Sequence, residues 1–196
     1  MKTAKVKRMV GVALLIALVV VMQSISGFIP PIGGFTISLV LIPIVVGAAV
    51  YGADVGALLG GAFGAIVFIN CVTGADPGGA MVFQASPVLC FLVVMGKGIL
   101  AGIASGLIYR LLKKRNGYLA MTLAAVACPV VNTGVFVICM LTFFKDVLAV
   151  WAGGSNVVSY VLTGLVLANF VPELIVNAIF SPAGQRIVTI ITGKNK

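Results

Sequence analysis

The sequence contains no histidine and only four acidic residues among its 196: Asp54, Asp76, Asp146 and Glu173. Histidine is the usual general base at neutral pH and the commonest metal ligand. Charged residues of all kinds make up 9% of the chain, whereas soluble domains carry about 25%. These shortages exclude nearly all the chemistry of soluble enzymes.

The sequence also lacks the motifs of zinc, redox and nucleotide sites. Four cysteines occur singly, without the CxxC spacing of a zinc or redox centre: Cys71, Cys90, Cys128 and Cys139. We interpret them as small buried hydrophobic residues. The run from Gly96 to Gly98 is not a phosphate-binding loop, because GxxxxGK[ST] requires Gly at Phe91 and Ser or Thr at Gly98. The chain is therefore not expected to bind ATP.

What remains is strongly apolar. Hydrophobic residues make up 61% of the chain and the mean hydropathy is +1.24. At roughly 20 apolar residues for each span, the chain has room for about six membrane helices. We predict an all-α membrane protein whose residues 1–196 form one domain, a six-transmembrane-helix bundle. The predicted helices are residues 9–29, 35–51, 55–72, 87–109, 118–144 and 157–180, followed by an interfacial tail at 183–193.

Prolines, glycines and one aspartate mark the ends of these helices. Asp54 occupies the position of a helix N-cap, and Pro87 suits a first helical turn. Pro43 is expected to kink the second helix. Three segments are predicted to be non-helical: residues 73–86, residues 145–156 and a break at Ser181-Pro182.

Positive charge is distributed unevenly along the chain, whose net charge is +9. If the N-terminus is cytoplasmic, eleven of the thirteen cations lie on the inner side: Lys2, Lys5, Lys7, Arg8, Arg110, Lys113, Lys114, Arg115, Arg186, Lys194 and Lys196. Cytoplasmic loops collect Lys and Arg. We therefore predict a multi-pass membrane protein with both termini cytoplasmic and no nucleic-acid partner.

Lys97 differs from these cations, because it lies inside a predicted span, near the centre of the fourth predicted helix. A charge at that depth costs on the order of 3 kcal/mol on insertion scales and is a functional candidate by default. Two interpretations remain open. Lys97 is the counter-charge of an anionic substrate, or it is a structural residue that pairs with Glu173 or caps broken backbone carbonyls.

Uncharged polar residues also fall inside the spans or beside them. The candidate substrate-binding residues are Lys97, Asn132, Asn169, Asn70, Gln84 and Trp151. Lys97, Asn132 and Asn169 are expected near mid-depth, in a pocket that opens outward. Glu173 and Asn177 lie nearer the inside, and we expect them to tie helix ends together.

Small residues recur at every fourth position in three of the helices. The third and fourth carry two glycine series: Gly56, Gly60 and Gly64, then Gly98, Gly102 and Gly106. This spacing lets helix backbones approach closely, and we expect these glycines to pack inside the bundle. Ala13 and Ala17 form a related pair on helix 1, a smooth patch suited to contact with another membrane protein.

Several stretches of the sequence together carry a family resemblance. They are the basic N-terminus, the pair Ala13-x-x-x-Ala17, FTISLVLIPIVVGAAVYGADVGALLGGAFGAI, VVNTGVFV and ANFVPELIVNAIFSP. With them, almost the whole chain resembles the substrate-binding S-component of energy-coupling factor (ECF) transporters. The resemblance is closest to the branch that includes riboflavin, pantothenate and pyridoxine S-components. Its most specific parts are the glycine pattern of helices 2 and 3 and the pair Asn132-Thr133.

The resemblance implies a non-enzymatic six-helix bundle that captures a vitamin or related micronutrient from outside. An S-component works with a membrane T-component and two cytoplasmic ATPases, so ATP is used by its partners and this chain needs no cofactor. The resemblance also implies that Ala13 and Ala17 dock the T-component. Substrate would be held by helices 4 to 6 and by the loops between helices 1 and 2 and between 3 and 4. Metal-specific members use an N-terminal histidine, so no metal is expected here.

The choice of substrate depends on the few polar residues near the predicted pocket. A buried lysine among asparagines suits a small polar anion, and pantothenate fits that inventory best. Riboflavin, pyridoxine and corrinoids remain alternatives, although flavin sites are typically richer in aromatic residues. Two other functions also remain open: a self-sufficient carrier coupled to protons through Glu173 and Lys97, and a non-transporting membrane subunit or channel. The chain shows no duplicated half of the kind found in many carriers.

Overall fold

A computed structural model describes residues 2–26 and 40–193. Every regular element in these two ranges is helical, which confirms the all-α prediction. The helices are α1 (Lys2–Ser26), α2 (Leu41–Tyr51), α3 (Ala53–Thr73), α4 (Pro77–Ala85), α5 (Pro87–Leu112), α6 (Gly117–Phe143), α7 (Lys145–Ala152), α8 (Val157–Tyr160) and α9 (Val171–Thr192). A π-helical segment, Val161–Phe170, joins α8 to α9 without a break.

Five helices are long and apolar enough to cross a membrane: Lys5–Ser26, Ala53–Thr73, Pro87–Leu112, Gly117–Phe143 and Val157–Thr192. The last of them has 36 residues and comprises α8, the π-helical segment and α9. The remaining predicted span, residues 35–51, corresponds to α2. This helix has eleven residues in the described part of the chain, fewer than a span needs. Its predicted first residues, 35–39, lie outside the described residues, as do the break at residues 30–34 and the predicted end of helix 1 at 27–29.

α3 and α5 run antiparallel and touch through their glycines. A Cβ atom added to Gly60 would meet the carbonyl oxygen of Gly98, and one added to Gly56 would meet that of Gly102. The same holds from the other side, because a Cβ atom added to Gly98 or Gly102 would clash with the backbone of α3. This packing confirms that the two glycine series serve contact within the bundle.

The packing collects positively charged helix ends at one end of the bundle, which we call the basic end. Arg8 of α1 donates to Asp54 Oδ2 at the start of α3, over 2.5 Å. Close to the last turn of α5, the Tyr109 hydroxyl donates to Gln185 Oε1 of α9, over 3.1 Å. Arg110 lies in the last turn of α5, and Lys113, Lys114 and Arg115 follow the helix directly. Among the described basic residues, those of α1, the end of α5 and α9 thus share one end, whereas Lys97 and Lys145 do not lie there. The side of the membrane that this end faces stays a prediction.

Two segments predicted to be loops contain helices, so both predictions were wrong. α4 lies within residues 73–86, and α7 lies within residues 145–156. The glycines and Pro77 of the first segment suggest a turn, but a proline in the first helical turn costs no hydrogen bond. Asp76 then caps α4, because its Oδ1 accepts from the backbone N of Gly79 over 3.2 Å.

The last long helix does not break at Ser181-Pro182, which corrects a further prediction. Pro182 cannot donate to the carbonyl of Ala178, four residues earlier. Ser181 Oγ donates to that oxygen instead, over 2.8 Å. A neighbouring hydroxyl therefore replaces the missing donor, and α9 continues to Thr192. The interfacial position of residues 183–193 stays a prediction.

The prediction that Asp54 caps α3 was also wrong, because the N-cap is Gly52. Asp54 lies in the first turn of α3 and pairs with Arg8. Pro43 lies in the first turn of the described α2. Residue 39, four positions before it, lies outside the described residues, so the expected kink at Pro43 stays a prediction.

Replacing Gly60 with alanine is expected to destabilise the bundle, because the new methyl group meets the carbonyl of Gly98 on α5. We expect the free energy of unfolding to fall by about 2 kcal/mol, as in overpacked cores, and the melting temperature in detergent to fall with it. Gly61→Ala is the matched control. A Cβ there makes only ordinary contact with Ile99, 3.6 Å away, and alanine is the better helix former. Equal melting temperatures for the two variants would contradict the backbone contact.

Candidate functional site

A cavity lies in the half of the bundle opposite the basic end. Its empty volume is about 780 Å³, including space open to solvent. The polar residues that line it are Gln23, Asn70, Asp76, Lys97, Asn132, Thr133, Trp151, Asn169 and Glu173. These side chains come from α1, α3, α5, α6, α7, α9, the π-helical segment and the turn before α4, so the cavity depends on the whole fold.

Lys97 reaches the cavity from the middle of α5. At 1.5 Å for each residue, it is roughly 15 Å from the start of the helix at Pro87, about half the thickness of a hydrocarbon core. Its Nζ lies 4.8 Å from the centre of the Phe136 ring and 5.8 Å from that of Phe63. Cation–π contacts therefore stabilise the ammonium group. The neighbouring Gly98 is held against α3, which fixes the face of α5 on which Lys97 lies.

Four residues that line the cavity have a buried oxygen without a hydrogen-bond partner in the described part of the chain: Gln23 Oε1, Asn132 Oδ1, Thr133 Oγ1 and Asn169 Oδ1. Asn132 and Thr133 are only 4% and 6% exposed. An unsatisfied buried polar group costs about 1–3 kcal/mol, and native proteins contain few of them. Their concentration around one cavity indicates a site for a polar ligand that supplies the missing partners.

Asn169 and Glu173 reach the cavity from the last long helix. Asn169 lies in the π-helical segment, a rare conformation that is frequent at functional sites. Glu173 lies four residues later in α9, is 2% exposed, and lines the same cavity as Lys97. The expectation that Glu173 ties helix ends near the inner side was therefore wrong. Asn177, one turn further along, donates to the Glu173 carbonyl oxygen over 2.8 Å.

The structure brings five of the six predicted substrate-binding residues together: Lys97, Asn132, Asn169, Asn70 and Trp151 line the cavity. Gln84 does not; its side chain is exposed. The difference arises because this segment is the helix α4 and not a loop. Val82, on the buried face of α4, lines the cavity, and two residues further along a helix the side chain points away from that face. The roles of all six as substrate ligands stay predictions.

α4 and α7 both contribute to the lining of the cavity, at its end away from the basic end. Trp151 Nε1 of α7 donates to Met81 Sδ of α4 over 3.3 Å. Phe68 of α3 makes edge-to-face contacts with Phe83, at 5.8 Å between ring centres, and with Phe91, at 5.2 Å. The aromatic contacts pack α4 and α5 onto α3, and the bond from Trp151 joins α7 to α4.

The sequence analysis did not place four other residues at the site. Gln23, Asp76, Cys71 and Cys90 all line the cavity. Gln23 had a signal, since it is a polar residue within an apolar helix. The two thiols also had a signal in the sequence. If the two glycine series pack against each other in antiparallel helices, the end of α3 with Cys71 lies beside the start of α5 with Cys90. Three of the four cysteines are buried, as expected, whereas Cys139 is half-buried.

Ala13 and Ala17 lie on an exposed face of α1. The opposite side of this helix packs on the bundle, because a Cβ atom on Gly11 would meet the Tyr51 hydroxyl of α2. The two alanines are therefore accessible to a neighbouring protein, as the sequence predicts for a docking patch. Their role in docking stays a prediction.

Comparison with known proteins gives two findings. The sequence model of the family described as "ECF transporter, substrate-specific component" matches residues 7–183. The pantothenic acid transporter PanT of Lactococcus lactis subsp. cremoris (strain MG1363) is 27% identical over 194 residues, which cover 93% of this chain and 94% of that protein. Both matches extend across the helices that form the cavity.

Asn132→Leu is expected to leave the ligand-free protein at least as stable, because it removes a buried amide whose oxygen has no partner. The same substitution should weaken binding of the co-purified ligand about tenfold or more, the loss expected for one buried hydrogen bond. Native mass spectrometry would identify that ligand, and calorimetry would measure its affinity. Ser105→Ala is the control: Ser105 is buried on α5 and donates to Ala101 O of its own helix. Reduced ligand-free stability with unchanged affinity would contradict a binding role for Asn132.

Proposed function

Because the chain belongs to the family of ECF transporter substrate-specific components, we propose that it captures a vitamin from outside the cell for an ECF-type importer, and that this vitamin is a small anion such as pantothenate. The observation that carries the proposal is the position of Lys97, a cation among hydrogen-bonding groups that have no partner. Lys97 is the single cation among the described residues that line the cavity. Residues 27–39 contain no charged residue and add none.

Pantothenate matches the chemistry of the lining. Its carboxylate pairs with the Lys97 ammonium in a charge-assisted hydrogen bond. Its hydroxyl and amide groups supply partners for Asn132, Thr133, Asn169 and Gln23. A relative named as a pantothenic acid transporter, similar along nearly its whole length, supports the same choice. The described aromatic residues of the lining are Phe63, Phe136 and Trp151. Both phenylalanine rings lie against the Lys97 ammonium group, which leaves Trp151 as the ring for the aromatic stacking that a flavin uses.

The direction of capture follows from the charge distribution. Cytoplasmic ends of membrane proteins collect Lys and Arg, so we place the basic end inside the cell. The cavity lies in the opposite half of the bundle and opens outward in that orientation. The protein then takes its ligand from outside a bacterial or archaeal cell.

Transport requires partners in this proposal, since the chain has no nucleotide-binding motif. A membrane T-component and two cytoplasmic ATPases couple ATP hydrolysis to release of the vitamin. The exposed face of α1 that carries Ala13 and Ala17 binds the T-component, because small residues allow a partner helix to approach closely. The apolar surface of the remaining long helices contacts lipid.

Lys97→Met is expected to weaken pantothenate binding about 30-fold or more, because loss of one member of a buried charge pair costs roughly 2–5 kcal/mol. Titration calorimetry with pantothenate and the melting temperature of the ligand-free variant give the two readouts. Lys145→Met is the matched control, since it removes the same charge from an exposed position outside the cavity. Unchanged affinity in Lys97→Met with a lower melting temperature would show that Lys97 is structural and would refute the anion site.

Replacing both Ala13 and Ala17 with tryptophan is expected to block assembly with the T-component and the ATPases. Bulky side chains prevent the close backbone approach that small-residue interfaces need. Pantothenate binding by the isolated chain should not change, because neither residue lines the cavity. Leu107→Trp with Leu111→Trp is the control pair: both leucines are exposed on α5 at the same spacing. Normal co-purification of the alanine variant with its partners would refute the docking face.

A further inference from the structure

The cavity contains more acidic groups than basic ones. Within the described part of its lining, the charged side chains are those of Lys97, Glu173 and Asp76. The undescribed residues 27–39 cannot alter this balance, because none of them is charged. An anion that Lys97 attracts therefore enters surroundings in which carboxylates outnumber ammonium groups.

The two carboxylates differ in what surrounds them. Asp76 is half-buried and accepts a hydrogen bond from Gly79 N at the start of α4, where the helix dipole favours a negative charge. Glu173 is 2% exposed within α9. Both carboxylates interact electrostatically with Lys97, Glu173 more strongly than Asp76. Water screens a charge least in such a buried position. Glu173 therefore acts more strongly than Asp76 on a ligand group that binds Lys97.

We propose that Glu173 determines the ligand charge that this cavity accepts: it admits a monoanion that carries hydrogen-bond donors and excludes the same vitamin once it bears a phosphate monoester. This inference rests on the proposed function. Lys97 is the one ammonium group of the described lining that a ligand anion can contact, so each ligand charge beyond the first would be buried without a cation beside it. Repulsion by Glu173 increases in proportion to the charge of the ligand. Its carboxylate oxygens also accept hydrogen bonds from hydroxyl and amide donors.

The test compares pantothenate with its phosphate monoester, which carries about two additional negative charges at pH 8. We expect the wild-type protein to bind the monoester about 100-fold more weakly than pantothenate, because the added charges have no partner in the cavity. Glu173→Gln keeps the shape and a hydrogen-bond acceptor but removes the charge. The variant is expected to bind pantothenate and to reduce the ratio of the two affinities, for pantothenate and for the monoester, about tenfold or more. We call this ratio the affinity gap. Asp146→Asn is the matched control, because it removes the same charge from an exposed position outside the cavity and should keep the wild-type affinity gap.

Ligand size is tested separately with the methyl phosphodiester of the vitamin, which is larger than the monoester but carries one charge fewer at pH 8. Exclusion by charge requires the diester to bind wild-type protein more tightly than the monoester. Exclusion by size requires the opposite order and would overturn the inference, even if Glu173→Gln did not fold. A folded Glu173→Gln variant that binds pantothenate and keeps the wild-type affinity gap between pantothenate and the monoester would also overturn the inference. The proposed function would then remain intact. Failure of the wild-type protein to bind pantothenate would instead refute the proposed function and this inference with it.

Discussion

The backbone contact between the glycines of α3 and α5 is the constraint on which the rest of the bundle depends. Lipid is as apolar as the helix surfaces, so helices in a membrane associate by close packing and not by the hydrophobic effect. Gly60 and Gly98 bring the two backbones together and fix their rotation about their axes. That rotation places Lys97 on the side of α5 that faces the cavity. A single substitution in the glycine contact between α3 and α5 would displace the side chains that line the cavity as well as weaken the fold.

The cavity concentrates groups that a stable membrane protein would be expected to avoid. Asn132, Thr133 and Asn169 have buried oxygens without partners, and Lys97 is a charge near the middle of a span. Each of these costs free energy in the absence of ligand. Violations of packing rules that cluster at one place are typical of functional sites. The apolar packing of α3, α5 and α6 around them offsets the cost, and a ligand with complementary groups recovers part of it.

Much of the fold could be predicted from the sequence because the signals were local. Apolar runs predicted the long helices, glycine spacing predicted close packing within the bundle, and the intramembrane Lys97 and asparagines predicted part of the lining of the cavity. The errors arose where one residue compensates for another. Ser181 replaces the donor that Pro182 lacks, and Asp76 begins a helix in a segment whose glycines predict a turn. Gln84 then falls on the wrong face of that helix, and Glu173 reaches the cavity through a π-helical segment that no periodicity in its apolar sequence indicates.

The unbroken helix that carries Asn169 and Glu173 is much longer than the membrane is thick. Its 36 residues extend roughly 54 Å at 1.5 Å for each residue, whereas a hydrocarbon core measures about 30 Å. Such a helix must tilt, protrude or thicken the lipid around it. Because the helix is continuous from Val157 to Thr192, a change in its tilt would move the cavity residues and the contact between Gln185 and Tyr109 together. We therefore expect the thickness of the bilayer to act on the geometry of the cavity.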